Sequence, residues 1–276
     1  MTFGFPPRGR WKQTGPGFED DFVRPLRRAR IRLDDFEVET RYVKPPQHGV
    51  LWIADDLEGW WEPADDATAT VAAPSGDGVL LLSPRFGART IVLSTWVQAA
   101  PGEYYLIDEL LDKVSRLRNS VLTVDEPHAG LSREADVRLL GVRTSRRDAA
   151  RADVTLTLQA DDPLRYGAGS QALKSGRNVL LNPGDAVAFP VLELKGPTTA
   201  FTITHDGGVF SYPDLTSGQT RIIDCRNGEA SVKASGARRW NMSGAWPRVD
   251  VGGAEWTISG LGSGATLTAR RFQAWT

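Results

Sequence analysis

The chain has 276 residues, enough for two domains of ordinary size, each with its own core. Its 33 Lys and Arg against 34 Asp and Glu leave a net charge of -1, which excludes a global field drawing it to nucleic acid or to an anionic membrane. A single cysteine, Cys225, excludes an intrachain disulfide and any zinc site built on cysteine, and it reads as a buried strand residue after "RIID".

The opening "MTFGFPPRGRWKQTGPG" has no apolar core and no small-residue cleavage site, so a soluble product without a secretory signal is expected. The longest purely aliphatic run, Val79 to Leu82, is too short to cross a bilayer. "RPLRRARIR" gathers five arginines between Arg24 and Arg32. It lacks interleaved aromatics and follows the acidic Glu19 to Asp21, so it reads as a solvated or subunit-pairing face and not as a nucleic-acid contact. "RIRLDDFEVET" then alternates as a strand does. In "LEGWWEP", Trp60 and Trp61 would lie on opposite faces of a strand, and most of the nine tryptophans are expected in thin cores or subunit interfaces.

One segment departs from the two-residue period. From Glu103 to Arg118, "EYYLIDELLDKVSRLR" places Ile107, Leu110, Leu111, Val114 and Leu117 at helical spacing, with Asp108, Glu109, Asp112 and Lys113 on the other face. Pro101-Gly102 precedes it, acids crowd its first half, and Arg116 and Arg118 fall in its last turn, as the helix dipole favours. This predicts one amphipathic helix packed on a sheet.

After the helix the strand pattern resumes in "VTLTLQA" and, in the second half, in "FTITH", "TRIID" and "ATLTARRF". The turn signals Asp77-Gly78, Asp206-Gly207-Gly208, Asn227-Gly228 and Gly252-Gly253 suit antiparallel hairpins of a sandwich or barrel. The protein is therefore expected to be mainly β. "DDPLRY", from Asp161 to Tyr166, ends the first set of strands, and the stretch beyond it is rich in small and polar residues. A domain boundary is drawn there, giving 1–166 and 167–276; the halves share no repeat.

A search for catalytic constellations favours a non-enzyme without metal or cofactor. His48, His128 and His205 lie far apart and in no zinc-ligand spacing. Nucleophile-elbow, Walker and dinucleotide motifs are absent. The acidic pairs Asp55-Asp56, Asp65-Asp66 and Asp161-Asp162 would point their neighbouring side chains to opposite faces of a strand.

The order of features is itself distinctive. "GDGVLLLSPRFGARTIVLSTWVQA" leads into the helix, then come "EADVRLLGVRTSR", "ADVTLTLQADDPLRY" and a β-rich half ending "AEWTISGLGSGATLTARRFQAWT". This series resembles the distal tail protein family of long-tailed phages with non-contractile tails, also described as minor tail proteins. The specific parts are the Arg89-x-Ile91 strand before the helix and the Leu158, Asp162, Pro163, Tyr166 ending. The C-terminal hairpin keeps the glycines of the family's turn and lacks its Asn.

The resemblance implies an N-terminal ring-forming β-sandwich-like domain with one helix, followed by a galectin-like C-terminal β-sandwich. Asp162, Pro163 and Tyr166 would form the domain seam, and Ile107, Leu110, Leu111, Val114 and Leu117 the ring-packing helix. It further implies a hexamer at the distal end of the virion tail, made in the host bacterial cytoplasm, with tail tube and baseplate or tail-tip proteins as partners. A competing reading makes the C-terminal sandwich, which carries Trp240, Trp246, Trp256 and Trp275, a host-glycan or receptor-binding module with Trp240, Trp246 and Trp256 as its contact.

Overall fold

The computed structural model describes residues 29–40, 46–64, 70–72, 79–81, 86–126, 130–196, 200–213, 220–232, 238–239 and 242–276. Arg24, Arg27, Arg28, Asp65, Asp66, Asp77, Gly78, His128 and Trp240 lie outside them. Among the described residues strands dominate, and no helix is long and apolar enough to cross a membrane.

The first half contains β1 (Arg30–Leu33), β2 (Phe36–Val38), β3 (Val50–Glu58), β4 (Thr70–Ala72), β5 (Val79–Leu81), β6 (Arg89–Ala99), α1 (Tyr105–Ser115), β7 (Asn119–Glu126), β8 (Leu131–Arg146) and β9 (Arg151–Ala160). β4 and β5 pair with each other, while the others form one antiparallel sheet in the order β2-β1-β7-β8-β9-β6-β3. This sheet curls until its ends meet. Glu39, just past β2, donates its N–H to the Trp52 carbonyl at 2.8 Å and accepts the Ala54 N–H at 2.7 Å, bridging back to β3. Closure of this kind removes sheet edges that would otherwise invite pairing.

Strict alternation fills the interior. In β6 and β9 every second side chain is buried, bringing Ile91, Leu93, Val97, Val154, Leu156 and Leu158 into one core. A buried polar pair beside them is satisfied: Trp52 Nε1 donates to Thr95 Oγ1 at 2.7 Å, and that hydroxyl donates to the Val154 carbonyl at 2.8 Å. α1 covers this core with Ile107 and Val114 fully buried and Leu110, Leu111 and Leu117 partly so. It is shorter than the periodicity predicts. Arg116 N–H turns back to the Lys113 carbonyl at 3.2 Å, tightening the last turn, and β7 begins at Asn119, so Leu117 and Arg118 belong to the connection.

Two further expectations are corrected. "RIRLDDFEVET" is a hairpin, not one strand: Asp34 turns at φ +51, and its carboxylate accepts the Val121 N–H at 2.8 Å. Trp60 and Trp61 lie past the end of β3. Gly59, at φ +78, breaks the strand where a Cβ would stand 2.0 Å from the Thr90 carbonyl oxygen, so both indoles turn toward the core.

The second half contains β10 (Arg165–Gly167), β11 (Ser170–Leu173), β12 (Gly176–Leu180), β13 (Val191–Lys195), β14 (Phe201–His205), β15 (Gly208–Tyr212), β16 (Thr220–Asp224), β17 (Glu229–Val232), β18 (Arg238–Arg239), β19 (Ser243–Gly244), β20 (Ala254–Ser259), β21 (Thr266–Arg270) and β22 (Ala274–Trp275). Sheets β11-β21-β13-β16-β17-β18 and β12-β20-β14-β15-β19 form a β-sandwich. Leu192, Leu194 and Ile223 from the first share a core with Phe201, Ile203, Phe210 and Trp256 from the second. Asp206-Gly207 and Asn227-Gly228 lie in hairpin turns, as expected. The fold is thus mainly β, with one helix and a C-terminal sandwich.

Candidate functional site at the junction of the two cores

The strand run of the first core ends at Ala160, and the buried cluster of the second begins at Tyr166. "DDPLRY" occupies the gap. Asp162 Oδ1 accepts the Leu164 N–H at 3.1 Å, an Asx turn that carries the chain past Pro163. Its Oδ2 accepts the Tyr166 hydroxyl proton at 2.6 Å, and the same hydroxyl accepts from Arg226 Nη1 at 2.8 Å. Arg226 also pairs directly with Asp162, closing a three-membered cluster. Burial pushes the Tyr166 phenol well above its ordinary value, and burial lowers Arg226.

A second arginine clamps the junction from the far end of the chain. Arg271, at φ +55 just after β21, donates from Nε to Glu134 at 2.7 Å and from Nη1 and Nη2 to the two Asp136 oxygens at 2.5 and 2.7 Å. This bidentate fork joins β8 to the sandwich, and the guanidinium lies 5.7 Å from the Tyr166 ring centroid. Burial opposes its charge, but the hydrogen bonds and charges of Asp136 and Glu134 outweigh that, and its affinity for the proton rises.

Backbone pairing supports the clamp. β10 pairs with β8 through Tyr166 opposite Glu134 and Gly167 opposite Arg133, and with β22 on its other side. The buried Asn182 fixes the approach of β22. Its Oδ1 accepts the N–H groups of Gly184 and Ala274, both at 3.1 Å, and its Nδ2 donates to the Ala186 and Val249 carbonyls. Gly184 is required there, since a Cβ would stand 1.8 Å from the Ala274 oxygen.

Two buried arginines lie beneath. Arg89 donates to the carbonyls of Pro163 at 3.0 Å, Gly59 at 2.8 Å and Glu62 at 2.5 Å, so the Arg of the Arg-x-Ile pattern holds the turn of the DP motif. Arg165 donates to the Trp60 carbonyl at 2.6 Å and to the Thr276 carbonyl. Burial, with Arg89 and Arg133 nearby, lowers it to about 10.

Above the clamp opens a cleft of about 580 Å³. Its lining comes from both cores, with Arg138, Gln159 and Asp161 on one side and Asp224, Arg226 and Asn227 on the other.

The motif residues Asp162, Pro163 and Tyr166 therefore meet at one place, whereas the five apolar helix residues lie against the first core. Of the tryptophans offered for partner contact, Trp240 lies outside the described residues. Trp256 is fully buried, donating to the Arg248 carbonyl at 3.3 Å, so its assignment to a glycan contact is corrected: the ring reaches no solvent. Trp246 is half-buried against Phe210, with ring centroids 5.0 Å apart, and Trp275 is buried under Arg133. Cys225 is buried, which raises its thiol. His205 accepts the Gly207 N–H within its hairpin, and Asp161 and Asp162 are engaged by different arginines. Sequence reasoning missed Arg226, Arg271, Glu134 and Asp136. Arg271 and Asp136 are 135 residues apart and carry no local signature.

No protein-family model and no curated protein matches the chain. Among solved structures it is similar to the SPP1 Dit (gp 19.1) protein, described as a paradigm of the hub adsorption apparatus in phages infecting Gram-positive bacteria. The TM-score is 0.55 at 14% identity, over 87% of this chain and 97% of that one. It is also similar to a chain of the phage P2 baseplate in its activated conformation with Ca, with a TM-score of 0.50 at 8% identity, over 88% and 98%. The resemblance read from the sequence holds at the level of fold: the chain has the fold of the SPP1 Dit protein along nearly the whole length of both.

Proposed function

We propose that the protein is a structural component of a phage tail end, a distal tail protein that forms a hexameric ring joining the tail tube to the baseplate or tail tip. The observation that carries this reading is the fold likeness to a hub protein across 87% of this chain and 97% of the other. Residues 1–166 would build the ring, with α1 supporting its wall, and residues 167–276 would stand at the periphery. Asp162, Pro163 and Tyr166 would be the seam between them. The role is architectural and not catalytic. A head-to-tail ring of six copies is consistent with a near-neutral surface and a curled sheet, because closure leaves no unpaired contact to propagate. The place of action would be the distal end of the virion tail, after synthesis in the host bacterial cytoplasm.

The experiment is end-labelling of isolated tail tubes. Gold-labelled protein added to tubes lacking their tip should sit at one end of each tube. Label scattered along the tube wall, or absent from it, overturns the reading. The glycan-module alternative gains nothing from the described tryptophans, since Trp256 is buried and Trp246 packs on Phe210.

A further inference from the structure

We infer that the cleft at the junction is a binding site for an uncharged saccharide. Its volume of about 580 Å³ is in the range of small-ligand sites and suits one or two sugar rings. The four lining carboxylates of Asp136, Asp161, Asp162 and Asp224 face three guanidinium groups, which leaves an excess of one negative charge. Most of these charges are already matched. A phosphate or carboxylate ligand would have to displace Asp162 from Arg226 or Asp136 from the Arg271 fork, and a cation would meet the guanidinium groups.

What the walls offer is a mixture of donors and acceptors. Arg138 donates to Gln159 and, at 3.2 Å, to Asp161, so these three lining side chains are joined to one another. Asp161 is 70% exposed, and Arg138 engages only one of its two oxygens, which leaves the other as an acceptor. On the opposite side, Asp224 orients Asn227 by accepting its Nδ2 at 2.7 Å, leaving the amide oxygen as an acceptor. Phe189 and Val191 add apolar surface of the kind that sugar C–H faces cover.

A peptide fits less well. The strands that reach the cleft, β8, β9 and β13, are paired on both sides, so they have no free edge on which to add a strand. Recognition there must come from side chains alone, as it does for vicinal hydroxyl groups. This site is independent of the hub reading, and no tryptophan lines it.

The test is isothermal titration of the full chain with lactose, maltose and N,N'-diacetylchitobiose, repeated on Gln159→Ala and Asn119→Ala, two neutral residues that line the cleft. At least one sugar should bind saturably to the unaltered protein, and each substitution should weaken that binding about tenfold. The melting temperature and the solution mass of both variants should stay unchanged. Absence of heat with all three sugars overturns the inference, and so does binding that both variants retain. Neither outcome touches the hub reading, which tube labelling tests separately.

Discussion

Tyr166 stands between an acid and a base, donating to Asp162 and accepting from Arg226, so its hydroxyl settles the direction of both neighbours. Replacing it with Phe leaves the Asp162–Arg226 pair and removes two hydrogen bonds to charged groups, and is expected to cost about 1 to 2 kcal/mol in denaturant unfolding. Burial raises the folded phenol, so the unfolded chain loses this proton first as the pH climbs. The phenol's contribution is then fully present below pH ~10 and lost above it. Tyr166→Phe should unfold with a shallower loss of stability above that pH, and identical slopes would contradict the assignment. Arg165 has the opposite sign. Its folded value is lowered to about 10, so the unfolded chain binds that proton more tightly and the cost of burying the charge is relieved only in strong alkali. At Gly184, a Cβ would collide with the Ala274 carbonyl, and Gly184→Ala should displace β22 and lower the melting temperature by several degrees.

At the level of elements, α1 is held by its buried side and not by its cap, since Tyr104 makes no capping hydrogen bond. Ile107→Ala is expected to cost about 2 to 5 kcal/mol, while the exposed Tyr105→Ala should change stability by less than about 0.5 kcal/mol. The clamp from β21 to β8 is partly open to solvent, and a double-mutant cycle between Arg271→Ala and Asp136→Ala should return a coupling of about 1 kcal/mol that weakens in salt. These elements differ in how much the sequence discloses. β6, β9 and α1 are legible because each buries one face, and the period of burial is written in Ile91, Leu93, Leu156, Leu158, Ile107 and Val114. The β1–β2 hairpin is not, because its turn is Asp34-Asp35, without the glycine that normally marks a positive φ. The junction is half-legible. Asp162, Pro163 and Tyr166 sit close enough in sequence to read as a turn, whereas Arg226 and Arg271 are ordinary surface-like residues until the fold brings them to Asp162 and Asp136. Trp256 misled for the reverse reason: the residue type suits stacking on a sugar, and only the second sheet reveals that the ring is covered.

On the scale of the whole molecule, two β-rich cores meet through a short turn, the β10–β8 pairing and arginine contacts that include Arg226, Arg271, Arg165 and Arg89. The likeness to the SPP1 Dit protein runs through both. Under the proposed function, copies of this chain close into a ring of six. Light scattering after size exclusion tests it most directly. A mass six times the 30.2 kDa of the chain, or twice that for two stacked rings, is the predicted result. A monomer at the highest concentration reached would contradict it.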